Sequence, residues 1–264
     1  MYILIKPTHR NAGMFSYIWE TLRGMHRYPD QQYYIEYSGE SCYYDQQLQD
    51  TQGITNVWDY YFEQPHTSTI PEYTEVIDTV SISHDEQSEY RYPLISSEIY
   101  KERRKEYCSV LKQHIKLLPH MSKKVDEFYE KHFKGKSVVG IHCRGTDHPD
   151  AQPIENYYKE IDHYLESYDY LFITSDEQKR VDSLKSRYGE KVIEYNATFR
   201  SISTTPLHYG NHLVNSPYFI GEDVIVEAYL LSKVNMMLCC TNSNVNFFSR
   251  ALNENLPYQI LTGQ

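Results

Sequence analysis

The stretch Ser137-Val138-Val139-Gly140-Ile141-His142-Cys143-Arg144-Gly145-Thr146-Asp147-His148 decides how the rest of the chain is read. Gly135 and Lys136 lead into it, Val138, Val139 and Ile141 are β-branched, and Gly145 closes it, the pattern of a buried strand in an α/β sheet. Side chains alternate along a strand, so His142 and Arg144 share one face and Cys143 takes the other. An imidazole and a guanidinium thus stand together at the carboxyl end of a strand, where open α/β sheets take their ligands.

Beyond this stretch the chain alternates. Spacing predicts helices over 154–166, 177–188, 222–233 and 244–252, separated by strands at 170–174, 191–195, 234–240 and 258–260. Such alternation implies crossover connections and a parallel sheet. Before it, residues 2–6 read as a strand and 7–13 as a loop. Phe15, Ile18, Trp19, Leu22 and Met25 then recur at helical spacing. Residues 33–37 form a second strand, and 38–93 read as loop-rich. Within that loop, Trp58-Asp59-Tyr60-Tyr61-Phe62 either fills a small core or offers ring faces to sugars, the core being preferred. Residues 97–133 read as two helices in series, with Ser97 as a cap and Pro119 as the interruption. The expected organisation is an N-terminal α/β domain, 1–134, and a C-terminal one, 135–264.

Composition narrows the function. With 264 residues, 40% hydrophobic and 23% charged, the chain can bury a real core, which excludes a disordered protein. A net charge of −10 argues against nucleic acid or an anionic membrane as partner, while leaving room for a local basic pocket. The five cysteines are odd in number and lack metal-ligand spacing; Cys239 and Cys240, in the apolar run from Met236, read as small buried hydrophobes, and a reducing compartment fits best. The first residues turn polar too soon for a secretory segment, and no apolar run nears the roughly 20 residues of a membrane span. A cytoplasmic location is expected. The 27 tyrosines indicate no function by themselves.

Polar residues follow two further strands, Thr174-Ser175-Asp176-Glu177 and Thr241-Asn242-Ser243-Asn244. Taken singly, Ser175, Asp176, Asn242 and Ser243 are ordinary helix caps. Taken together they line one sheet edge beside His142 and Arg144, and the helix starting near Asn244 offers free N–H groups and a positive dipole end. The guanidinium of Arg144 matches phosphate oxygens with a planar fork of donors. No Gly-x-Gly-x-x-Gly follows a strand and no Gly-Lys-Ser/Thr loop occurs, so a nucleotide diphosphate would be held without a glycine loop. His142, Asp147, His148, His208 and His212 lack metal-ligand spacing, and no metal is expected.

Gly140-Ile141-His142-Cys143-Arg144-Gly145-Thr146-Asp147 resembles the His-x-Arg-x-x-Asp signature of fucosyltransferases related to the nodulation fucosyltransferase, the core α-1,6-fucosyltransferases and the protein O-fucosyltransferases. Phe172-Ile173-Thr174-Ser175-Asp176-Glu177 and the block from Gly221 to Ser232, continuing to Asn242-Ser243-Asn244-Val245, fall in that family's order. Asn11-Ala12-Gly13-Met14-Phe15-Ser16 looks like its acceptor-side glycine loop. The resemblance implies a GT-B-like fold of two Rossmann-like domains, with the donor on the C-terminal one and the acceptor on the N-terminal one. It further implies transfer of L-fucose from GDP-fucose to a hydroxyl of a glycan with inversion, needing no cofactor and no divalent metal.

On the same resemblance Arg144 contacts the donor pyrophosphate, with His142 and Asp147 beside it as catalytic candidates. Asp176 is a pocket acid, Ser243 and Asn244 contact phosphates, and Asn11 and Gly13 lie on the acceptor side. Glu227 occupies the position of the acid that reads guanine, where the family usually has Asp. The base is unassigned among Asp147, His148, Asp150 and Glu155, since Gln152 stands where core fucosyltransferases have Glu. Two alternatives stay open, another nucleotide-linked sugar as donor and a catalytically idle glycan-binding protein of the same fold. The acceptor, the linkage and the oligomeric state are not encoded in any motif.

Overall fold

The structure is a computed structural model that describes residues 2–7, 12–37, 41–66, 69, 74–78, 98–146, 151–197, 199–202, 205–207, 216–240 and 243–263. The chain forms two compact units, Met1–Ser122 with Asn211–Glu222, and Lys123–Gly210 with Asp223–Gln264. Gly135, at the division expected from sequence, has a positive φ of 73° before the strand that follows.

In the first unit, β1 (Tyr2–Lys6) lies between β2 (Gln32–Ile35) and β3 (Thr74–Asp78), and both pairings are parallel. Helix α1 (Met14–Arg27) buries Phe15, Ile18, Leu22 and Met25, as its spacing predicts. Gly24 lets it lie close to the sheet, since a Cβ there would stand 3.3 Å from Ile5 Cδ1. Side chains satisfy the backbone of β2. His66 Nδ1 accepts from Tyr33 N at 3.0 Å, Gln64 Oε1 accepts from Ile35 N at 3.0 Å, and Asn56 Nδ2 donates to Ile35 O at 2.7 Å.

Helix α2 (Gln46–Gln52), capped by Asp45, and strand β3 lie within the loop-rich region 38–93, where the sequence marked neither. Neither element carries a clear apolar period, and β3 is a strand because β1 offers it a ladder. Trp58, Tyr60, Tyr61 and Phe62 are all buried, so the aromatic run is core. Helices α3 (Glu98–His114) and α4 (Pro119–His132) follow, and Pro119 begins α4, where no amide N–H is required. Ser97 lies outside the described residues.

The second unit is a five-stranded parallel sheet in the order β6-β5-β4-β7-β8. Its strands are β4 (Val138–His142), β5 (Tyr170–Thr174), β6 (Val192–Glu194), β7 (Met236–Cys239) and β8 (Tyr258–Ile260). Helices α5 (Tyr158–Tyr164), α6 (Gln178–Tyr188), α7 (Pro217–Leu231) and α8 (Asn244–Leu252) belong to the crossovers. Helix α7 begins before the expected residue 222 because Pro217-Tyr218-Phe219-Ile220 extend an already apolar helix, and no stripe marks its start. Val139, Ile141, Leu171, Ile173 and Leu238 form the core on one sheet face. On the other, a Cβ on Gly140 would stand 2.9 Å from Val234 Cγ1 and 3.1 Å from Leu231 Cδ2, so glycine is what permits this packing.

Tyrosine abundance has a structural outcome. Buried rings fill both cores while their hydroxyls reach backbone carbonyls, Tyr61 to Tyr218 at 2.8 Å and Tyr157 to Cys240 at 3.1 Å. Among the described residues, no helix is long and apolar enough to cross a membrane.

Candidate functional site

Strand order reverses beside β4, with β5 and β6 on one side and β7 and β8 on the other. This is the switch point at which such sheets open a crevice. His142 is in register with Thr174 of β5 and Cys239 of β7, so three strand ends come level. The His142 ring is buried, with Nδ1 2.9 Å from Thr174 Oγ1. Cys143 faces the core, as alternation requires, and its Sγ lies 3.6 Å from Cys240 Sγ. Both are free thiols, and burial pushes that of Cys240 well up.

Asp176 organises the turn that leaves β4. Its Oδ1 accepts from Gly145 N at 2.7 Å, its Oδ2 accepts from Thr146 Oγ1 at 2.7 Å, and Arg144 Nε stands 3.6 Å from Oδ2. Ser175 Oγ donates to Cys143 O at 2.6 Å and accepts from Glu177 N at 3.1 Å, stitching the β4 and β5 ends together. The Arg144 side chain keeps 24% of its surface exposed and is braced by Asp176.

A buried ion pair lies against this turn. Arg180 Nε donates to Glu177 Oε2 at 2.5 Å and its Nη1 donates to Gln152 O at 2.8 Å. A Cβ on Gly145 would fall 2.0 Å from Glu177 Oε2 and 2.7 Å from Arg180 Nε. The glycine of the motif is therefore required by space.

A third pair stands behind. Ser201 bridges to the start of α6, its N donating to Asp176 O at 2.8 Å while its O accepts from Gln178 N at 2.9 Å. That bridge carries Arg200, whose Nη2 donates to Glu227 Oε1 at 2.8 Å and to Tyr195 O at 3.1 Å. Both side chains are buried. Burial pushes the Glu227 carboxyl up to about 8; Arg200 opposes this, and the charges of Asp223, Asp176 and Glu194 reinforce it.

At the end of β7, Ser243 caps α8, its Oγ accepting from Asn246 N at 3.3 Å, and Asn244 is the first helical residue. The Ser243 oxygen serves the helix itself, and what α8 offers a ligand is its N-terminal backbone and dipole.

Of the residues singled out in the sequence, His142, Arg144 and Asp176 come together on adjacent strand ends. Asp176 is the turn's brace, and Glu227 is joined to this edge through Arg200. Ser243 and Asn244 follow the neighbouring strand. Gly13 precedes α1, with space where a Cβ would go, and Glu155 is exposed on the turn Ile154–Tyr157. Asn11, Asp147, His148, Asp150, His208 and His212 lie outside the described residues. Thr174 and Glu177 were named only as members of a polar run, and Arg180 and Arg200 were not anticipated. Glu177 and Arg180 carry a visible i,i+3 signal, whereas Arg200 meets a carboxylate 27 residues away, with nothing local to mark it. Among the described residues no group of three or more His, Cys, Asp or Glu is arranged to hold a metal ion. Chemically, the edge offers one guanidinium and one helix N-terminus to an anion.

No family model matches the sequence, nor does any curated protein. Solved structures do match in fold. The fucosyltransferase NodZ from Bradyrhizobium superposes with a TM-score of 0.57 at 14% identity, over 96% of this chain and 94% of that one. NodZ α-1,6-fucosyltransferase soaked with GDP-fucose gives 0.55 at 16% identity, over 96% and 93%. A variant of Arabidopsis thaliana FUT1 in complex with GDP gives 0.54 at 12% identity, over 100% of this chain and 70% of that one. The chain has the α/β, GT-B-like fold expected from its sequence, shared with these fucosyltransferases.

Proposed function

We propose that the chain is a glycosyltransferase that moves L-fucose from GDP-fucose to a hydroxyl of a glycan acceptor, with inversion and without a divalent metal. The observation that carries this is Arg144, braced by Asp176 at the switch-point end of β4, in a fold shared with fucosyltransferases of which one was soaked with GDP-fucose. The C-terminal domain, expected at 135–264, takes the donor, and the N-terminal one, at 1–134 with Asn11 and Gly13, takes the acceptor.

In the proposed step the acceptor oxygen forms a bond to C1 of fucose. The bond from C1 to the β-phosphate oxygen breaks, GDP leaves with the electron pair, and the hydroxyl proton passes to a base. Charge develops on the β-phosphate, where Arg144 and the α8 N-terminus lower its energy. His142 and Asp147 stand with Arg144 as catalytic candidates, and the base is one of Asp147, His148, Asp150 and Glu155. Glu227 reads the donor base, and Ser243 and Asn244 present the α8 start to the phosphates. A reducing, cytoplasmic setting accords with five buried free thiols.

One observation favours a donor built on another nucleotide: Arg200 already engages the Glu227 carboxylate that would read guanine. A thermal-shift panel of GDP, UDP, CDP and ADP discriminates the two, because a ligand bound only by the folded state raises its melting temperature. Stabilisation by GDP alone, with a fucosylated product detected by mass spectrometry, supports the proposal. Equal stabilisation by all four counts against it.

A further inference from the structure

A cavity of about 620 Å³ is lined wholly by residues of the first unit. Its volume falls in the range of roughly 300–1,000 Å³ usual for small-molecule sites. Tyr60, Tyr218 and Phe219 supply rings to its wall, and Leu48 and Leu118 supply aliphatic surface. Gln47, Gln52, Thr51 and His120 bring hydrogen-bonding groups around them.

Two features separate this wall from ordinary surface. Tyr218 is fixed, stacked on buried Tyr61 with centroids 5.3 Å apart and an interplanar angle of 18°. Its hydroxyl is held by His120 at 3.0 Å and by Glu222. Phe219 meets Tyr218 edge-on at 5.2 Å, yet 38% of it is exposed, and it is the one aromatic among the exposed large apolar side chains of the described residues. A half-exposed ring on a packed aromatic support, beside amides and hydroxyls, offers a face on which a ligand ring can stack.

The charges select the occupant. Asp45 and Asp59 line the cavity, and no lysine or arginine does so among the described residues. Asp45 accepts from Gln47 N at 3.0 Å and from the Ser216 hydroxyl. A phosphate, a nucleotide or an acidic sugar would meet two carboxyl groups and, among the described residues, no lysine or arginine. A purely apolar ligand would leave the amide side chains of Gln47 and Gln52 without partners. A neutral saccharide suits both, its C–H face against Phe219 and its hydroxyls against the amides.

We infer that this cavity is a binding subsite for a short neutral saccharide, with Phe219 as the stacking platform and Gln47 as a hydroxyl contact. That this saccharide belongs to the acceptor rests on the function proposed above; that the cavity takes one does not.

The test is ligand-observed saturation-transfer NMR on the full chain with lactose, cellobiose and 3′-sialyllactose, for the wild type, Phe219→Ala and Gln47→Ala. The expected result is saturable binding of at least one neutral disaccharide, about tenfold weaker in Phe219→Ala and weakened in Gln47→Ala. Gln47 is an exposed side chain, so its variant reports even where Phe219→Ala perturbs the start of α7. Absence of neutral disaccharide binding at millimolar concentration, undiminished binding in both variants, or binding of 3′-sialyllactose alone would each overturn the inference. A GDP thermal shift on the same samples keeps the two ideas apart. Stabilisation by GDP without saccharide binding removes the subsite only, whereas saccharide binding without any GDP effect supports the subsite and removes the donor assignment.

Discussion

Asp176 holds Arg144 from β5 while its two oxygens also take Gly145 N and the Thr146 hydroxyl, so one carboxylate sets the whole turn that follows β4. We propose that Asp176, expected as a pocket acid, acts by positioning Arg144. Asp176→Asn should fold, because an amide oxygen still accepts from Gly145 N, but should lose the charge that aims Arg144. An ion pair of this length at a partly exposed site is worth up to about 1 kcal/mol, so GDP affinity should fall by roughly fivefold. Calorimetric titration of GDP checks this, and unchanged affinity would remove the bracing role.

Arg144→Ala removes the guanidinium itself. Loss of one preorganised contact to developing charge costs on the order of 10²–10³ in rate, and transfer should fall by that factor. Melting temperature should change little, since the side chain is partly exposed. A variant with full transfer activity would dispose of the donor assignment.

Gly145→Ala is a steric test. The added methyl would drive into the buried Glu177–Arg180 pair, and overpacking of this kind typically costs about 1–3 kcal/mol. Urea denaturation should show the loss. Equal stability would mean the pair yields freely.

Glu227 sets a pH dependence. Its carboxyl is raised from 4.5 to about 8 in the folded state, so between those values the folded protein binds more protons than the unfolded one. Stability should therefore fall as pH rises through that window, by on the order of 1 kcal/mol per unit. Glu227→Gln should flatten the slope measured by urea denaturation from pH 5 to pH 8. An identical slope in the variant would count against a protonated Glu227.

His66 acts in the opposite sense. Burial lowers its pKa below 6.5, and its Nδ1 is occupied as the acceptor for Tyr33 N. Its contribution is complete above pH 6.5 and is lost as pH falls from there toward the depressed folded value. His66→Gln, which keeps an acceptor but cannot titrate, should weaken the acid sensitivity of the first unit. Amide exchange at Tyr33 is the local readout, and acid-enhanced exchange that persists in the variant would rule the histidine out.

Much of the second unit was legible from residues alone. Val138 to Ile141, Phe172-Ile173 and Met236 to Cys239 are short apolar runs, each followed by polar residues, and that pattern yields parallel strands and a polar edge. Arg144 could be named because a guanidinium after a buried strand has few other uses. Over 38–93 the same approach failed, since β3 draws its identity from β1 and α2 has no apolar stripe to bury.

By itself, then, the sequence determined the alternation of elements and the parallel sheet of the second unit, and the strand end that bears His142 and Arg144, because periodicity and turn chemistry act over a few neighbouring residues. Only the tertiary structure decided which groups touch. Asp176 reaches Gly145 across 31 residues and Arg200 reaches Glu227 across 27. Gly145 is glycine because Glu177 and Arg180 occupy the space beside it. Coulomb attraction and steric exclusion depend on separation in space, which a chain acquires only when its strands pair.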